Sequence, residues 1–236
     1  MSVSSLPLGP DDLTTHKATY STLSPLRPEL NQSGKNILIT GASAGIGFAI
    51  ARAYAEASAS IIILTGRPQD VLQQAASTLS SEFSNTRFIV RVCGVGNVAD
   101  SAALWTGLRC DGIFVDVLVL NAARFHEQKG VLETQLDATW SIKTTDHLLQ
   151  AIADEVDRAE LQIVSFHLGQ TFSEAVRSAG LEENILPFDD ENLPGHWAAW
   201  AATSEAAFLH GRFAWAAWDV DEMRSASFLS FSYVGI

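Results

Sequence analysis

The chain has 236 residues, 47% of them hydrophobic and 18% charged, with a formal net charge of −12. Such a composition suits one large folded domain and excludes a disordered chain. The acidic balance excludes non-specific nucleic-acid binding and docking on an anionic membrane, because no basic field exists to displace counterions. Cys93 and Cys110 lack metal-type spacing and read as free thiols in a reducing compartment. No apolar run is long enough to span a bilayer, and residues 1–34 carry no secretory h-region, so a cytoplasmic location is expected.

Residues 1–34 are punctuated by Pro7, Pro10, Pro25 and Pro28, which rules out a long helix and predicts an irregular arm. From Lys35 the pattern changes, and residues 35–236 read as a single domain. Asn36-Ile37-Leu38-Ile39 is a short, continuously apolar run of the buried-strand type. A glycine-rich turn then leads into a helix at Phe48–Tyr54. Ile61–Leu64 predicts a second strand, Gln69–Phe83 a helix, Phe88–Val90 a third strand, Asp100–Leu108 a helix and Val115–Leu120 a fourth strand. About twenty residues without a clear strand follow Asn121. Thr144–Val156 predicts a helix, Leu161–Phe166 a fifth strand and Ser173–Ala179 a short helix. Residues 180–200, with Pro187 and Pro194, read as irregular. Ser204–Leu209 predicts a helix and Phe213–Trp218 a last strand. Strands that are apolar on both faces and alternate with helices define an α/β fold with a parallel, doubly wound sheet.

Chemistry concentrates at Thr40-Gly41-Ala42-Ser43-Ala44-Gly45-Ile46-Gly47. The turn leaves a strand and opens a helix. Gly41 permits the tight turn, and Gly45 and Gly47 let backbone approach a pyrophosphate at the helix N-terminus. Ser43 and Ile46 complete this candidate cofactor set. Arg67 follows the second strand, where the adenosine ribose would lie. An acid there would bind both ribose hydroxyls, whereas an arginine suits a 2′-phosphate and favours NADP.

These motifs make the chain resemble the short-chain dehydrogenase/reductase family, and in particular its fungal members with an N-terminal arm such as Tyr20–Leu30. The glycine turn matches the family's cofactor motif. Leu120-Asn121-Ala122-Ala123 resembles its Asn-Ala-Gly motif, with Ala123 in place of glycine, and Phe213–Asp221 resembles its C-terminal strand and turn. The resemblance implies a Rossmann-like fold, NADP, a small-molecule substrate and hydride transfer to or from a carbonyl or alcohol, in fungal secondary metabolism. It implies that Asn121, Lys143 and Ser173 join the cofactor set and that Lys143 is also catalytic. No metal is expected at Asp189-Asp190-Glu191 or at the histidines.

The family's serine and tyrosine have no counterpart. Tyr20, Tyr54 and Tyr233 are the only tyrosines, and none precedes a lysine by four. Thr139 and Trp140 stand where the acid should be, and neither titrates usefully. Asn121 and Lys143 are too close for the family's interface helix and serine-bearing strand, which points to a sheet shortened by one strand and one helix. Leu161–Phe166 should then pair directly with Val115–Leu120, unless a partner chain fills the gap. Gly94 replaces an adenine-binding Asp and Leu168 a proline. Three readings stay open: an NADP-dependent oxidoreductase with degenerate machinery, a non-redox isomerase or cyclase using a Trp197, Trp200 and Trp215 pocket, and a non-catalytic relic. His147, four residues after Lys143, is the one candidate for a substitute acid. The oligomeric state is open, a homo-oligomer being one option.

Overall fold

A computed structural model describes residues 13–122, 149, 151–172, 176–177, 180, 182–184 and 187–225. Four parallel strands form the first sheet: β1 (Asn36–Thr40), β2 (Ile61–Gly66), β3 (Arg87–Val92) and β4 (Val117–Val119), in the order β3-β2-β1-β4. The connecting helices are α1 (Gly45–Glu56), α2 (Gln69–Glu82) and α3 (Val98–Cys110). Alternate strand residues face opposite sides of a sheet. Ile37, Ile39, Ile62 and Leu64 therefore meet α1 and α2 in one core, while Leu38, Ile63 and Ile89 meet Leu104 and Leu108 of α3 in another. Helices thus cover both faces, as the doubly wound reading requires.

The second half departs from expectation. β5 (Val164–His167) does not pair with β4. It forms a separate parallel pair with β6 (Arg212–Trp215), Val164 opposite Arg212 and His167 opposite Trp215. Among the described residues the outer edge of β4 has no strand partner, and Leu118 and Leu120 are exposed there. The reason lies in side-chain anchoring. Phe166 lies against Trp197, ring centroids 4.3 Å apart, and Val164 packs on the same apolar cluster. Moving β5 onto β4 would break those contacts and the ladder to β6.

A second difference concerns residues 180–200. Asn192–Ala201 is a helix, here α4, despite Pro194. Proline in a first turn removes only an amide that has no intrahelical acceptor. α4 lies along α1, and Gly195 makes this possible: a Cβ there would come within 2.8 Å of the Ala49 carbonyl oxygen. Tyr54 of α1 is buried and donates from its hydroxyl to Ala198 O at 2.9 Å.

The arm is part of the core. Two short 3-10 turns, Ser21–Leu23 and Pro28–Leu30, plant Leu23 and Leu30 among Leu193, Trp197, Trp200, Leu209 and Met223. Tyr20 stacks on His16 at 3.8 Å, and its hydroxyl accepts from Val220 N at 2.8 Å. His16 Nε2 meets Asp219 at 2.8 Å. Arg27 and Arg224 both pair with Glu205. The arm is thereby tied to the end of β6 and to α5 (Val220–Ser225), the last helix among the described residues.

Candidate dinucleotide site

The glycine turn sits at the C-terminal ends of β1 and β4, where open parallel sheets of this type bind ligands. Gly41 has φ +68° and Gly45 φ +54°, a left-handed backbone that side chains rarely adopt. A Cβ on Gly47 would run into the Gly41 carbonyl and lie 2.6 Å from Asn121 Nδ2. Only hydrogen fits there. The amides of Gly41 and Ala42 both donate to Thr65 O, at 2.8 and 3.2 Å, which ties the turn to β2.

Thr40 and Asn121 lock the turn to β4. The buried Thr40 hydroxyl accepts from Asn121 N at 2.9 Å and Ala122 N at 3.0 Å, and donates to Val119 O at 3.3 Å. Asn121 Nδ2 returns the contact, donating to Thr40 O at 3.0 Å and Gly41 O at 3.3 Å. Thr40→Val removes the hydroxyl and leaves two backbone amides without their acceptor, at a cost of about 1–3 kcal/mol. Urea denaturation should show that loss, while Thr40→Ser should restore most of it; equal stability of Thr40→Val and wild type would contradict the lock.

No side chain caps the N-terminus of α1, whose N-cap is Ala44, and the first intrahelical bond runs from Phe48 N to Ala44 O at 3.4 Å. An uncapped helix start beside backbone that admits no Cβ is a ready anion seat. The residues present therefore fit a pyrophosphate. Arg67 is exposed just beyond β2, and among the described residues no carboxylate pairs with it. At the far edge, Gly94 N donates to Asp100 at 3.1 Å.

The structure thus brings Gly41, Ser43, Gly45, Ile46, Gly47 and Asn121 together, with Arg67 at the end of the neighbouring strand. Lys143, Ser173, Thr139, Trp140 and His147 lie outside the described residues. Trp197 and Trp200 do not open a pocket: both are fully buried, packed edge to face at 5.4 Å. Trp215 stacks on His167 at 4.1 Å. Burial holds the His167 imidazole below its ordinary range, against the opposing pull of Asp189, and Nδ1 accepts from Gly169 N at 3.1 Å. Asp189 and Asp190 spend carboxylate oxygens on the amides of Gln170 and Asn192. Sequence reasoning placed Thr40 at the head of the motif but gave its hydroxyl no role; that role depends on Asn121 and Ala122, just beyond the β1–β4 ladder.

Fold and turn together define a Rossmann-like α/β protein. Residues 35–147 match the family model for short chain dehydrogenases. The chain is 28% identical to the short chain dehydrogenase/reductase AacuD of Aspergillus aculeatus, over 94% of this chain and 95% of the relative. It is 29% identical to the short chain dehydrogenase/reductase nsrO of Aspergillus novofumigatus, over 88% of each. Among solved structures, L-sorbose reductase from Gluconobacter frateurii, complexed with NADPH and L-sorbose, superposes with a TM-score of 0.70 at 17% identity, covering 79% of this chain and 96% of that one. An NADPH-bound short chain oxidoreductase from Pseudomonas aeruginosa with an atypical catalytic centre gives 0.69 at 16%, covering 78% and 96%. The chain is thus similar to short-chain dehydrogenases/reductases.

Proposed function

We propose that the chain binds NADP(H) at Gly41–Gly47 and acts as an oxidoreductase on a carbonyl or alcohol in fungal secondary metabolism, with degenerate catalytic machinery. The carrying observation is the locked, Cβ-free turn with a helix N-terminus open to an anion. Gly41, Ser43, Gly45, Ile46 and Gly47 would cradle the pyrophosphate and Arg67 the 2′-phosphate, with Lys143 and Ser173 joining them by family resemblance. The bound cofactor would supply the hydride. This chain's residues would hold it and exclude water from the β1–β4 end.

Slow turnover is part of the proposal. Tyr54 donates its hydroxyl proton to Ala198 O and Tyr20 donates its own to Trp218 O, so neither is placed to hand a proton to a substrate at the turn. The alignment with AacuD runs over 281 positions while using 94% of this chain. Several dozen positions of the relative therefore lack a counterpart here, which supports loss of the serine-bearing strand and interface helix. Among the described residues the outer edge of β4 has no strand partner, which agrees with that loss. These features also favour a second reading, a dinucleotide-binding relic that does not turn over. The Pseudomonas relative, NADPH-bound with an atypical catalytic centre, is a precedent for altered chemistry on this fold.

Arg67→Ala separates NADP from NAD. A lost charge-assisted hydrogen bond is worth about 1.5–3 kcal/mol, a factor of roughly ten to a hundred. NADPH affinity should fall by that factor while NADH affinity stays unchanged; an unaltered NADPH-to-NADH ratio would overturn the assignment. Single-turnover mixing with NADPH and a ketone panel then tests redox chemistry. Oxidation no faster than buffer would leave the relic reading.

A further inference from the structure

Strand order fixes how a dinucleotide would lie across the sheet. A pyrophosphate at the turn after β1 and a 2′-phosphate at Arg67 after β2 carry the adenine ring on to the end of β3, the next strand outward. The carboxylate of Asp100, in the first turn of α3, lies at that strand end. We propose that Asp100 recognises the base, accepting a hydrogen bond from the exocyclic amine of adenine and so selecting adenine over hypoxanthine. This role rests on NADP(H) binding at Gly41–Gly47, as proposed above.

Local contacts hold the carboxylate in place. Cys93 N donates to Gly66 O at 2.9 Å, which carries the β2–β3 ladder past Val92. Asn97 N donates to Gly94 O at 2.7 Å and closes a tight turn. The Asn97 side chain then caps α3, accepting from Ala99 N at 2.9 Å and Asp100 N at 3.3 Å. Leu104 and Leu108 bury the inner face of α3 against the sheet. From this anchored helix Asp100 reaches back to the strand end, where its Oδ2 accepts from Gly94 N at 3.1 Å. A Cβ on Gly94 would stand 3.0 Å from the same oxygen. The missing side chain at residue 94 thus makes room for a carboxylate supplied by α3.

The surroundings suit a flat, neutral ring. Val92 and Val95 are both exposed and offer apolar surface at the end of β3. Among the described residues no cation pairs with Asp100, and its Oδ1 has no partner. The Val95 amide also makes no hydrogen bond among the described residues. An acceptor close to a free N–H matches the edge of adenine, where an amine donates and the neighbouring ring nitrogen accepts. Hypoxanthine presents the reverse pair, a carbonyl oxygen and a protonated ring nitrogen. A carboxylate can only accept, so it repels that oxygen.

Calorimetric titration of the full chain with NADPH and with its hypoxanthine analogue tests this role without turnover. A charge-assisted hydrogen bond gained with one base and lost with the other should make wild type prefer NADPH by about tenfold or more. Asp100→Ala should bring the two affinities within about threefold of each other, by losing the acceptor. Asp100→Asn should do the same while keeping an oxygen for Gly94 N, because its amide can face either base. That variant keeps the test decisive if alanine weakens the start of α3. A substitution that only loosened the strand end would weaken both dinucleotides alike and leave their ratio unchanged. A wild-type chain that binds both equally, or a ratio unmoved in both variants, would overturn the role of Asp100 while leaving NADP(H) binding intact. No binding of either dinucleotide by the folded wild-type chain would overturn both.

Discussion

Gly47→Ala should abolish useful NADPH binding while Gly107→Ala does not. The two glycines differ in what a methyl group would meet. At Gly47 the Cβ strikes the Gly41 carbonyl group and Asn121 Nδ2, whereas at Gly107, in the last turn of α3, it meets nothing within 4 Å. The obstacle at Gly47 is backbone, so relief requires the turn to move away from α1 and to break the Asn121 bonds to Thr40 and Gly41. Overpacking of this kind costs about 1–3 kcal/mol of stability. Displacing the turn also misaligns every amide that would face the pyrophosphate. A loss of about 3 kcal/mol corresponds to a factor on the order of 10² in affinity. Gly107→Ala should instead be neutral or stabilising, by up to about 1 kcal/mol, because alanine is the better helix former. Cofactor titrations and thermal melts of the two variants give both readouts. Similar NADPH affinity in Gly47→Ala and wild type would mean that the cofactor is not held at this turn.

The second large effect is expected at the arm. Leu23 and Leu30 are both fully buried beneath α4 and β6. A buried Leu→Ala change costs about 2–5 kcal/mol. A whole domain has about 5–15 kcal/mol in hand, so Leu23→Ala with Leu30→Ala should release the arm and loosen the second core. Trp200, Trp215 and Trp218 lie in that cluster, so their fluorescence should shift to the red at a lower denaturant concentration than in wild type. An unchanged midpoint would show that the arm only decorates the surface.

Acid should release the arm by another route. Burial pushes the Asp219 carboxyl up, but amides of Glu222 and Asp221 and the His16 ring outweigh it and hold the group below the usual carboxylate range. Glu205 is treated alike, burial opposed by Arg27 and Arg224. A depressed carboxylate pKa adds stability above its unfolded value near 4, and that stability is lost as pH falls through the folded value. The fluorescence of the tryptophans packed beneath the arm should therefore change at acid pH before the four-stranded sheet melts.

Much of this was legible in the sequence wherever the signal was local. Asn36–Thr40, the glycines and Arg67 carry their meaning in residue type and spacing, and α2 ends within a residue of its apolar periodicity. What was not legible depends on distant partners. Pro194 suggested irregular chain because sequence does not show that it falls in a first turn. β5 was assigned to β4 because strand pairing is not written in either strand alone; Phe166 against Trp197 decides it. Leu23 and Leu30 fall in a stretch read as an irregular arm, and their burial depends on the distant α4 and β6.

Calorimetric titration of the full chain with NADPH tests the central claim most directly. The account predicts saturable binding of one NADPH per chain, weakened by Arg67→Ala and by a factor on the order of 10² in Gly47→Ala. Absence of binding at millimolar NADPH by a folded wild-type chain would contradict it.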